Sequence, residues 1–183
     1  MTTSPRLGEE LLVLARRHPR SGWETSPALG ELGRFWLQRH AMFRRLDVLI
    51  REATEAALDG STDPARFRPW LARHLRFGLG QLEEHHLVED HHYFPLFRAA
   101  EPRLVAGFEL LERDHDQIHA AIAGLVEHAG PLLTGAAPDP AGLARFHDAH
   151  LAHGRLLLRH LDDEEDLVIP LLLERGEDRL GGG

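Results

Sequence analysis

The chain has 183 residues and 43% hydrophobic content, which suits one globular domain with a core and excludes a disordered chain. It has no cysteine, so disulfides, thiolate metal sites and thiol catalysis are excluded. A net charge of −8 argues against nucleic acid as a partner; the absence of a long apolar run argues against a membrane span; and the N-terminus lacks the pattern of a signal peptide, so a cytoplasmic protein is expected.

Ser4-Pro5 predicts the start of a short helix reaching about Arg17, with Leu7, Leu11 and Leu14 on one face. His18-Pro19 ends it, and residues 1–25 form an N-terminal helix and loop. Ser26-Pro27 opens a long amphipathic helix to about Leu58, and Asp63-Pro64 a second to about Arg98. Glu101-Pro102 opens a third, to about His128. Residues 130–140 are a Gly/Pro-rich connector, and Asp139-Pro140 opens a fourth helix to about Arg175. Residues 177–183 read as a flexible tail. No stretch alternates with period two as a strand would. The fold class expected is all-α: an up-down-up-down four-helix bundle over residues 26–176, with a short extra N-terminal helix.

Histidine is unusually frequent, at 14 residues. It is also the commonest metal ligand. HHLVEDHHYFP (85 to 95) and HLDDEEDLVIP (160 to 170) each place a His four residues before a Glu and ten before a Pro. The shift of 75 residues between them also relates Pro27 to Pro102, Leu29 to Leu104 and His40 to His115, as in a duplicated helical hairpin. Pro95 and Pro170 lie late in their helices and should kink them or mark their last turns.

At about 100° per residue, His85 lies roughly 40° from Glu89, within an apolar stripe, and His86 roughly 60° away. The inward pair is therefore read as His85 and Glu89, and on the fourth helix as His160 and Glu164. A carboxylate inside an apolar stripe pairs or binds metal, because leaving it bare is costly. His115 and His119, four residues apart, add two imidazoles, and His40 joins as the repeat partner of His115. Five His and two Glu exceed what one ion in a bundle would use. They match two ions, with Glu89 and Glu164 bridging. Imidazole and carboxylate ligands suit iron or manganese, with zinc as the alternative. The repeat partner of His119 is Arg44, which cannot ligate. One ion then has three His (His115, His119, His160) and the other two (His40, His85), leaving an open position for a small molecule.

Two HxxxE motifs, each followed by an aromatic or aliphatic residue and Pro, around an HxxxH resemble the hemerythrin-like, or HHE cation-binding, family over about residues 28 to 175. The resemblance implies a non-haem di-iron centre, oxo- or hydroxo-bridged, in a four-helix bundle. His40, His85, Glu89, His115, His119, His160 and Glu164 look like its ligands. It implies binding of dioxygen or a related small ligand, peroxide or nitric oxide, at an open iron position. The alternative is a di-iron enzyme that decomposes peroxide or activates oxygen, or a protein that handles iron or nitric oxide. Two features depart from simple oxygen carriage. Arg44 is placed to stabilise a peroxide or another anion near the open metal. His150 and His153 continue the inward stripe ahead of His160, with Gly78 leaving room for His153. They read as hydrogen-bonded histidines at the core edge, or as proton donors along an access route. Asp90, Asp114 and Asp116 are candidates to orient ligand imidazoles. His74, His86, His91, His92 and His147 read as solvated groups or as supports for the ligands.

Overall fold

The computed structural model describes residues 6–135 and 139–181. Its main elements are α1 (Val13–Arg17), α2 (Glu31–Leu58), α3 (Pro64–Val88), a π-helical turn (Glu89–Tyr93), α4 (Phe94–Ala100), α5 (Val105–Thr134) and α6 (Pro140–Arg175). No strand occurs among the described residues. The fold is an all-α bundle whose long elements are α2, α3 continued by α4, α5 and α6.

The helix starts have local causes. Asp63 Oδ1 accepts from the Ala65 amide at 2.9 Å, and Asp139 Oδ1 from the Gly142 amide at 2.8 Å. Each carboxylate satisfies a first-turn N–H, and each precedes a Pro whose missing N–H costs nothing there. Gly60 (φ 70°) and Gly176 (φ 82°) take left-handed conformations after α2 and α6, which glycine adopts without a Cβ clash.

Several boundaries differ from expectation. The predicted opening at Ser4-Pro5 lies outside the described residues, and the N-terminal helix shortens to α1. Helix α2 begins at Glu31, because residues 26–29 form turns, with the Ala28 amide on Ser26 Oγ. The second predicted helix is divided by the π turn. Pro95 offers no N–H to the preceding turn and crowds the carbonyl four residues back, and a wider turn there relieves both. Pro170, its counterpart, lies inside α6, which continues to Arg175. Helix α5 runs through Pro131 to Thr134 rather than stopping near His128.

The stretch expected as a loose tail is tied down at its start. Glu177 accepts from the amides of Gly30, Leu32 and Gly33 at 2.8, 2.8 and 2.9 Å. These are first-turn donors of α2 that its own ladder leaves bare. Leu180 is buried beside them in the same apolar cluster as Leu29 and Leu32.

The chain divides into two compact units. The first comprises the residues up to Ala41, His85–His115 and those from Leu158 onward. Its core is built from Leu14, Trp36, Phe94, Phe97, Phe108, Leu111 and the run Leu167–Leu172. The second comprises Met42–Glu84 and Asp116–Leu157, around Ile50, Phe67, Leu71, Leu75, Leu125 and Phe146.

Candidate metal centre

Seven ligand-type side chains meet inside the first unit. α2 supplies His40; the last turn of α3 carries His85 and His86; Glu89 opens the π turn; α5 supplies His115; α6 supplies His160 and Glu164. They form two groups whose ligand atoms lie within 4.8 Å of one another: His86, Glu89, His115 and His160, and His40, His85, Glu89 and Glu164. Glu89 belongs to both. One group holds three imidazoles and the other two.

The geometry is that of lone pairs converging. His85 Nε2 lies 3.2 Å from His40 Nε2, and His115 Nε2 lies 3.2 Å from His160 Nε2. Glu89 Oε1 is 3.0 Å from His85 Nε2, and its Oε2 is 3.5 Å from His115 Nε2. Glu164 repeats the arrangement, 3.0 Å from His160 and 3.5 Å from His40. Both carboxylates are fully enclosed, at 1% and 0% exposure. Neither oxygen of Glu89 nor Glu164 Oε2 has a hydrogen-bond partner. Buried carboxylate oxygens without partners are costly, and cations placed among them remove that cost. Two imidazole nitrogens on adjacent positions of one ion, about 2.1 Å from each, would show a separation like the one seen. The residues present therefore fit bound metal.

At His40 burial is outweighed by the carboxylates of Glu164 and Glu165, which raise the ring. Burial pushes His85 down to about 3, reinforced by the charges of His40 and His160. Burial and neighbouring His115 hold His86 well below the usual range, and burial also lowers His160. The lowered rings stay neutral at pH 7, the form that ligates. Burial and the charge of Glu164 push Glu89 well above the usual carboxylate range. Against burial, His40 and His160 hold Glu164 well below it. Two carboxylates this close do not both ionise without a cation.

The ligand candidates are themselves held. His40 Nδ1 lies 3.0 Å from Glu165 Oε1, and Arg20 donates to Glu165 Oε2 at 2.7 Å. His115 Nδ1 lies 2.8 Å from Asp90 Oδ1. A carboxylate only accepts, so each Nδ1 carries the hydrogen and each Nε2 presents its lone pair to the group. Trp36 donates its indole N–H to Glu164 Oε1 at 2.5 Å.

His40, His85, Glu89, His115, His160 and Glu164 are thus brought together, and two expectations change. His86 enters the centre, stacked on His115 with centroids 3.9 Å apart. The buried face of α3 runs through Leu71, Leu75, Leu82, His86 and Glu89, so its centre lies on the His86 side of Glu89. The doublet His85-His86 straddles the Glu, and that doublet was the available signal. His119 is exposed and stands in neither group. The buried face of α5 runs through Leu111, Asp114, His115 and Ile118, which puts His119 about 90° from its centre. Arg44 is half-buried and, like His119, His150 and His153, belongs to the second unit. Of the proposed supports, Asp90 holds His115, whereas Asp114 pairs with Arg6 at 2.8 Å.

The Hemerythrin HHE cation-binding domain model matches residues 33–172. The chain belongs to this family. No curated protein and no solved structure matches it. The HHE match spans every residue of the two groups, and cation binding by a helical bundle follows from the family together with the buried His/Glu clusters. No described helix of this HHE chain is long and apolar enough to cross a membrane.

Proposed function

We propose that the chain is a non-haem di-iron protein that binds dioxygen or a related small ligand, peroxide or nitric oxide. The observation that supports this most directly is the pair of fused His/Glu groups sharing Glu89, with unpartnered carboxylate oxygens turned between facing imidazoles. His86, His115 and His160 would hold one ion, His40 and His85 the other, with Glu89 and Glu164 between them. Iron there would supply one-electron redox steps and, at the ion with two imidazoles, an open coordination position. The chain's own part is positional. Glu165 and Asp90 accept from Nδ1 of His40 and His115, which orients each ring with Nε2 toward the group. Trp36 fixes one oxygen of Glu164 and packs edge-on to Tyr93, 5.1 Å away, which keeps that side of the carboxylate dry.

The test is metal content and the absorption spectrum in air of protein from metal-replete cells. About two irons per chain and a visible band that appears with oxygen and fades on its removal are expected. Less than about one transition-metal ion per chain overturns the reading. Sustained turnover of hydrogen peroxide by the loaded protein would make it an enzyme rather than a binding protein.

A further inference from the structure

The second unit contains a feature that the metal centre does not use. A cavity of about 30 Å³ opens among α2, α3, α5 and α6, against the roughly 10–15 Å³ that one water requires. Its wall is almost wholly apolar, with Ile50, Leu75 and Leu125 among the lining residues. Gly78 lines it without a side chain, and a Cβ there would meet only Leu46 Cδ1, at 3.5 Å.

Three imidazoles line the same cavity: His74, whose Nδ1 donates to the Trp70 carbonyl oxygen at 2.8 Å, His150 and His153. His150 is 3% exposed, and its Nε2 lies 3.1 Å from the backbone carbonyl oxygen of Asp47. A carbonyl only accepts, so Nε2 carries the hydrogen and Nδ1 of the neutral ring is a bare acceptor. That Nδ1 is buried without a partner. His153 is 5% exposed and has no partner at either ring nitrogen. Its ring is tilted 27° from that of His150, with centroids 6.5 Å apart. Burial lowers both, His153 to about 4, so at pH 7 each ring is neutral and His153 offers one donor and one acceptor.

We propose that this cavity is a binding site for a small neutral hydroxyl compound of two or three heavy atoms, recognised by His150 and His153. The ligand's O–H donates to an imidazole acceptor, which His150 Nδ1 is fixed to be, and its oxygen accepts the N–H of His153. The carbon side rests on the leucine wall. An anion would meet the Asp47 side chain, whose Oδ1 lies 3.4 Å from His150 Nε2. A cation would leave water for an apolar surface. The site is independent of the metal reading, since none of its residues belongs to either ligand group.

The experiment is ¹⁵N-imidazole NMR of the full chain, titrated with methanol and, in a second arm, with xenon as an apolar particle of similar size. Methanol is expected to move the His150 and His153 ring resonances saturably. His153→Phe should weaken that response about tenfold. Gly78→Leu fills the cavity and should abolish it. Should Gly78→Leu fail to fold, Gly78→Ala, whose Cβ makes only the ordinary contact with Leu46, should weaken it several-fold. A methanol response that does not saturate, that survives the filling of the cavity, or that is unchanged in His153→Phe overturns the proposal. So does xenon binding at least as tightly as methanol, which would make the cavity a purely apolar one.

Discussion

His86 decides the make-up of the three-imidazole group. It lies fully buried and stacked against His115, while His119 is exposed. His86→Ala is expected to lower the metal content by about one ion per chain, and His119→Ala to leave it unchanged, as measured by metal analysis after identical loading. Trp36 acts one step out. Trp36→Phe keeps the ring and removes the N–H from Glu164, so both ions should bind, but about 10-fold more weakly in a competition titration against a chelator. The residue scale also shows what a sequence can carry. A Glu within an apolar stripe, twice, with a His one turn before it, is a strong signal because a bare buried carboxylate is rarely tolerated. The choice between adjacent histidines is weaker. It depends on where the centre of the buried face lies, within a few tens of degrees, and that is set by packing partners distant in sequence. Centring α3 on Glu89 rather than on the line through Leu71 and His86 was enough to leave His86 out.

Helix termini in the first unit are fixed by carboxylates from elsewhere in the chain. Glu177 spans three first-turn amides of α2. Glu177→Ala should lower stability by roughly 2 kcal/mol, seen as a lower urea midpoint at unchanged m-value. Glu101, at the junction after α4, takes Arg103 at 2.7 Å and Arg175 at 2.8 Å. Those guanidiniums hold its carboxyl down at about 2. An unfolded Glu titrates near ~4.3, so the folded state binds the proton less readily. Its stabilising contribution is therefore complete above about pH 4.3 and is lost as the pH falls toward 2. Urea midpoints of Glu101→Gln should fall less steeply than wild type across that window; parallel curves would remove Glu101 from the acid response. The long helices were legible because their apolar periodicity and Asp-Pro openings agree. The π turn was not, since residues 89–93 have no composition that separates them from an α-helix. Nor was the docking of Glu177, whose partners lie 144 to 147 positions away.

For the molecule as a whole, the proposed ions would be part of what keeps the first unit folded. Without them both oxygens of Glu89 and one of Glu164 remain enclosed without partners. Saturating metal, at about a thousand times its dissociation constant, would add about 4 kcal/mol, on the order of 10 °C in melting temperature for a chain of this size. Calorimetry before and after chelation checks the figure. Hydrogen exchange checks its location: amides of His85–His115 should lose more protection than those of Met42–Glu84. The four-helix class was expected from connection lengths and period alone, whereas the division into two units, each with its own apolar cluster, was not visible along the sequence. The π turn has one more consequence. It holds a residue that a regular helix would not need between Glu89 and Phe94. Deleting exposed His91 would let that stretch close into an ordinary α-helix, with Glu89, Phe94 and Phe97 staying on the faces they now occupy. Such a deletant should keep both the ligand-bearing turn and the aromatic packing that follows it.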